Sequence, residues 1–233
     1  MIGMGYMVIV GIVTLVGWLI SSRLKSKFKH YSQMRNSSGK SGAEIAVDML
    51  THYGIRDVKV VQGQGSLTDH YNPKTKTIAL SPEVYQGRHV AAAAVSAHEC
   101  GHAVQHAEAY AMLKTRSALV PVVQFSTKAQ QFLFYGMMFG MFAGGGAFGN
   151  MLMLALVGTF GATALFSLVT LPVEFDASRR ALNWLDDTGN TQGAEYEGAK
   201  DALWWAAMTY VASALGALVM FLYFLMRMLG SQR

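Results

Sequence analysis

The sequence predicts a mainly α-helical membrane protein, with about four transmembrane helices carrying a cytoplasmic α+β domain that holds a small sheet. Three observations lead there. Of the 233 residues, 52% are hydrophobic and only 14% are charged, against roughly 25% charged in soluble domains. The apolar residues gather in runs of membrane-spanning length, and the charged residues gather between those runs. Within one polar segment, "AHECGHAVQH" at 97–106 sets His98, His102 and His106 four residues apart, which on a helix makes one stripe.

The runs come first because they fix the organisation. Residues 2–20, "IGMGYMVIVGIVTLVGWLI", carry no charge and are about as long as a bilayer-spanning helix needs. Further uncharged runs cover 150–171 and 203–226, and a weaker one covers roughly 131–149, with Lys128 ahead of it at the membrane surface. No positive residue precedes the first run, while Arg23, Lys25, Lys27 and Lys29 follow it. This is the pattern of a retained anchor with its N-terminus outside. Every Asp and Glu and nearly all Lys and Arg then fall in two segments, about 21–117 and 173–202, so both segments and any catalytic domain in them are expected in the cytoplasm, with both termini outside. Arg227 and Arg233 count against that orientation. The expected organisation is an anchor at 2–20, a cytoplasmic domain at 21–117, a transmembrane hairpin at 118–171, a cytoplasmic helical segment at 172–202 and a last span at 203–226.

The net charge of +5 follows from this placement. No basic patch interleaved with aromatics points to nucleic acid, so the lipid bilayer is the expected partner. Cys100, the single cysteine, cannot form an internal disulfide and suits a reducing compartment.

In the first polar segment, "YSQMRNSSGKSG" is a linker or surface loop. A helix begins at Ser41, because Glu44 stands at capping-box spacing, "AEIAVDMLTHY" is amphipathic and Gly54 can end it. "DVKVV" at 57–61 has the character of a short strand. "SLTDHYNPKTKTIALS" at 66–81 has that of a hairpin turning at Asn72-Pro73. Ser81-Pro82-Glu83 opens another helix, and the histidine-bearing helix is expected from about His89 to Leu113. In the second polar segment, "VEFDASRRALNWLDD" starts a helix after Pro172, with Val173, Ala177, Ala181 and Leu185 on one face and Gly189 as the stop. Glu174 would head that helix.

His98-Glu99-Cys100-Gly101-His102 matches H-E-x-x-H. Imidazoles at i and i+4 can both reach one Zn²⁺ at about 2.0–2.1 Å, and the adjoining glutamate can serve the water beside the ion. Gly101 costs about 1 kcal/mol relative to Ala inside a helix, which a closely packed neighbour would explain. A catalytic zinc takes three protein ligands, so a third must exist. His106 lies about 9 Å along the axis from a metal placed between the first two histidines, beyond easy reach. Glu108 occupies the place of the third metzincin histidine, but Gln105 stands where that pattern needs a glycine. Glu174, from a second helix, is the best placed.

The blocks "LTDHYNPKTKTIALSPEVY", "VAAAAVSAHECGHAVQH" and "LPVEFDASRRAL" resemble those of the YugP-like neutral zinc metallopeptidases, multi-pass membrane proteins of bacteria, over nearly the whole chain. The resemblance implies a zincin-like domain in the bacterial cell membrane, one Zn²⁺ per chain held by His98, His102 and Glu174, and Glu99 as the catalytic acid/base. It implies hydrolysis of peptide bonds in peptide or protein substrates, membrane proteins among them. The more distant HtpX-like peptidases show E-x-x-x-D at the second element; here Ser178 stands at the Asp position, and Asp176 or Arg179 would orient the site instead. His70, Tyr71 and Arg179 are candidates to stabilise the developing oxyanion, with nothing in the sequence to choose among them. The strand Thr77, Ile78, Ala79 and Leu80 is a candidate to pair with an extended substrate.

Two other classes compete. An intramembrane protease also carries H-E-x-x-H, and "NWLDDTG" has a likeness to its L-D-G element, but Arg88, Glu108, Lys114 and Arg116 bracket the motif too tightly for a span. A membrane scaffold with a retained metal would have no chemical need for Glu99, and structural zinc sites are usually closed by four ligands. No span carries the paired charges of a transporter. Gly136, Gly140 and Gly144 are spaced for close helix approach, within one chain or in an oligomer.

Overall fold

A computed structural model describes residues 4–138 and 146–230. In chain order these form α1 (Met4–Tyr31), α2 (Gly42–His52), β1 (Lys59–Gln62), β2 (His70–Asn72), β3 (Thr77–Leu80), α3 (Pro82–Gln86), α4 (Val90–Ala107), α5 (Ala111–Met138), α6 (Gly146–Asp187) and α7 (Ala194–Gly230). The chain divides into two units, one comprising Met1–Ile20, Lys114–Leu171 and Thr209–Arg233, the other Ser21–Leu113 and Pro172–Met208.

In the first unit, three helices among the described residues are long and apolar enough to cross a membrane: those at Met4–Tyr31, Ala147–Asp187 and Ala194–Gly230. Large apolar side chains such as Trp18, Leu154 and Leu222 stand exposed on them, as expected where lipid replaces a protein core. Packing among these helices uses an aromatic cluster, in which Phe160 stacks on Phe224 at 5.0 Å. It also uses small residues: a Cβ on Gly161 would meet Phe221 at 3.2 Å, and one on Gly216 would meet Val13 at 2.9 Å. The weaker run expected at 131–149 passes through 139–145, and the Gly140 and Gly144 positions with it, outside the described residues.

In the second unit, α4 is the central element. Fourteen of its residues are buried, because its small side chains let α2, α3 and the sheet close around it. Ser41 caps α2 in a full capping box with Glu44, and His89 caps α4, its Nδ1 accepting from the Ala92 amide at 3.1 Å. Gly54 ends α2 with φ +69°. The sheet order is β1-β3-β2, with β1 parallel and β2 antiparallel to β3. The expected hairpin is therefore present, but β3 is central. β1 pairs along Thr77–Leu80 and β2 along Thr77–Ala79, so β3 is not an open edge for a substrate strand, and the outer strands are β1 and β2.

Two helix boundaries differ from expectation. The histidine helix stops at Ala107 rather than near Leu113, because Ala109 turns the chain at φ 56° before α5 begins. And α6 does not start after Pro172 but runs through it. Proline's fixed φ is itself helical, and its penalty is one missing hydrogen bond plus a ring clash, which the helical segments on either side outweigh. Glu174 thus lies inside a long helix, and the helix-dipole advantage of an N-terminal acid does not apply to it.

Candidate metal centre

On α4, His98 and His102 stand one turn apart, their rings 4.8 Å between centroids and at 81° to each other. Facing them from α6 is Glu174, only 1% exposed. Val173, Ala177, Ala181 and Leu185 are all completely buried, so the predicted apolar face is what docks this part of α6, and Glu174 follows it inward. Gly101 makes the approach close enough. A Cβ there would lie 2.5 Å from the Ala177 carbonyl oxygen, a distance no real contact allows, so the glycine in the middle of the motif is what lets the two backbones touch.

Glu174 Oε2 lies 3.4 Å from His98 Nε2 and 3.6 Å from His102 Nε2. A tetrahedral ion with bonds of about 2.0–2.1 Å needs neighbouring ligand atoms about 3.3–3.4 Å apart. The three residues, which bring their ligand atoms within 4.8 Å of one another, therefore fit zinc in both donor chemistry and spacing. His106 is outside this group: its Nδ1 bonds the Tyr71 hydroxyl at 2.7 Å. Glu108 forms the C-cap of α4 and accepts from Arg180 at 2.6 Å.

The other nitrogen of each imidazole is held as well. His98 Nδ1 is 3.1 Å from Ser178 Oγ, and His102 Nδ1 is 3.1 Å from Gln105 Oε1. Gln105 is completely buried, and its amide nitrogen donates to Val173 O at 2.8 Å and to Asp176 Oδ2 at 2.9 Å. Since both of those oxygens can only accept, the amide oxygen must face His102. Nδ1 of His102 then carries the proton, and Nε2 is left with its lone pair toward Glu174. Asp176 also receives Arg179 and, at 2.6 Å, Arg180. Burial pulls the His102 pKa down, but the carboxylates of Glu174 and Glu99 outweigh it and the net direction is up, so a metal at Nε2 competes with a proton.

The three donors expected from the sequence, His98, His102 and Glu174, lie together in the structure, and Asp176, also named from the sequence, touches Gln105, which contacts His102. Sequence reasoning missed Gln105 itself, three residues past His102 on the same helix and seven past His98, a spacing that was the available signal. Ser178 keeps contact with a ligand histidine although it is not the expected acid. His70 is tied to the Thr68 carbonyl at 2.8 Å, Tyr71 to His106, and Arg179 to Asp176, which leaves the oxyanion role unassigned. The aspartates of "NWLDDTG" are exposed at the end of α6, and Asp187 is thirteen residues, about 20 Å, from Glu174, too far to share its ion.

A family model described as "Putative neutral zinc metallopeptidase" matches residues 6–229. The chain is 41% identical over 210 residues, 90% of each chain, to a Bacillus subtilis (strain 168) protein named "Putative membrane protease YugP". No solved structure matches.

Proposed function

Because the chain belongs to the neutral zinc metallopeptidase family, we propose that it is a membrane-integrated zinc endopeptidase that hydrolyses peptide bonds at the cytoplasmic surface of the membrane. The observation that carries this reading is the convergence of His98, His102 and Glu174 from two helices, with Glu99 beside the first histidine and no fourth protein ligand among the described residues. That is the donor count of a catalytic site rather than a structural one.

Bound zinc would polarise the scissile carbonyl and make its water acidic, with a pKa of about 7. Glu99, 8% exposed, takes a proton from the attacking water and returns it to the leaving amine. Ser178 and Gln105 hold the imidazoles in orientation. Cys100 is not a nucleophile: burial raises its thiol well above the usual range, Glu99 adds to this, and its Sγ donates to Ala46 O. The location is supported by the sequence, in which Glu174 follows the apolar run ending at Leu171 by three residues and four spans would bring both charged segments to one side.

Zinc per chain in detergent-purified protein tests the centre. Wild type and Glu99→Gln should each hold about one zinc, Glu174→Ala should lose most of it, and Glu99→Gln should cleave no peptide. If Glu174→Ala holds zinc as well as wild type does, the pairing of the two helices is wrong. A wild type that takes up none under metal-replete conditions would return the chain to the scaffold class.

A further inference from the structure

Between α6 and α7 in the second unit lies a cavity of about 270 Å³ that the chemistry above does not use. It is smaller than the roughly 300–1,000 Å³ of sites for drug-sized ligands, and suits one side chain with a little backbone. Phe175, Leu182, Leu203 and Trp204 line it, the rings of Phe175 and Trp204 being 6.4 Å apart. The charged groups in the lining, Arg179 and Lys200, are both cations. Arg179 is paired with Asp176 but its side chain is 69% exposed; Lys200 is 57% exposed and stands 3.7 Å from Glu197.

Ser178 also lines the cavity, and its Oγ is the group 3.1 Å from His98 Nδ1. Helical geometry explains this double membership. Phe175, Arg179 and Leu182 make one stripe of α6, and Val173, Ala177 and Ala181, which dock on α4, lie on nearly the opposite face, with Glu174 and Ser178 between the two. A group seated in the cavity therefore touches Ser178, the residue whose hydroxyl contacts His98.

We propose that this cavity is a substrate subsite of the peptidase, which takes a large apolar or aromatic side chain next to the scissile bond while Arg179 and Lys200 take a carboxylate adjoining it. The proposal rests on the peptidase reading. The carboxylate comes either from an acidic side chain or from the substrate's own C-terminus, and the same two cations would serve both.

The test uses the full chain in detergent, zinc-loaded, as Glu99→Gln so that peptides bind without being cut. Fluorescent peptides carry Phe-Asp, Phe-Asn or Ala-Asp at the centre, and a second set ends in Phe as the free acid or the amide. Replacing Phe by Ala, or removing the carboxylate, should weaken binding about tenfold or more. Lys200→Glu should abolish the carboxylate preference, and Leu182→Trp, which fills the cavity, should abolish the preference for Phe. Trp204→Ala, at a half-exposed position, provides a second cavity variant should Leu182→Trp fail to hold zinc. Preference for internal Asp assigns the carboxylate to a side chain, preference for the free acid assigns it to the chain end, and either upholds the subsite. Equal affinity for all peptides, absence of binding, or preferences that no variant moves would overturn it. Cleavage of the same peptides by wild type is scored separately. If none depends on Glu99 while binding still follows the cavity, the peptidase reading falls, and with it the subsite's place beside a scissile bond, while the cavity stands as a peptide-binding site.

Discussion

At Gln105 one amide meets three demands: it accepts from His102, and it donates to Val173 O and to Asp176. No water competes at this completely buried position, and its partners fix both ends of the amide, so the residue acts as a positioning group for the metal. Gln105→Leu keeps the volume but leaves His102 Nδ1 without its acceptor and Asp176 with only its two arginines. Zinc affinity should fall by roughly 10–100-fold, measured by competition with a chromogenic chelator, with Gln105→Glu restoring the acceptor to His102 and part of the affinity. An unchanged affinity in Gln105→Leu would reduce the residue to packing. Its spacing from His98 and His102 puts Gln105 on their face of the helix but does not give its role, because a polar residue there reads the same whether it faces solvent or a buried aspartate 71 positions away.

At the scale of elements, the contact between α4 and α6 depends on Gly101. Gly101→Ala gains about 1 kcal/mol of helix propensity, yet its methyl would sit 2.5 Å from Ala177 O. Backbone atoms cannot yield as a side-chain tip can, so α6 must shift, at a typical overpacking cost of about 1–3 kcal/mol. Glu174, one turn before Ala177, would shift with it. The expected result is a lower melting temperature of the zinc-loaded protein and weaker zinc binding, seen in thermal scans with and without metal. A variant more stable than wild type, with its zinc retained, would show that the helices have room. The glycine inside the motif pointed to a close neighbour, but no pattern in the sequence said which. Helix boundaries were read less well than helix faces. Ala109 turns the chain without being a turn-forming residue type, and Pro172, an ordinary stop signal, is carried inside α6.

At the scale of the molecule, the separation of charge predicts that residues 21–117 and 173–202 share one side of the membrane. Cys100 is buried, so single cysteines placed at the exposed Asp57 and Glu197 report on this without interference. Both should react with an impermeant maleimide only after the membrane is opened; labelling of either in intact cells would invert the topology or split the two segments. Apolar runs, capping boxes and the i, i+4 histidines are properties of short stretches, set by side-chain type and helical period. The sequence by itself therefore determined a mainly helical chain with helices long and apolar enough to cross a membrane, the face by which residues 173–185 dock, and which two histidines pair. The tertiary structure alone decided that β3 is enclosed by strands on both sides, that Ser178 and Gln105 fix the two imidazoles, and that a cavity opens between α6 and α7. Each of these joins groups distant along the chain, as His98 and Ser178 are at 80 residues apart. Contacts of that range depend on how close two backbones come, and here the missing side chain of Gly101 sets that distance.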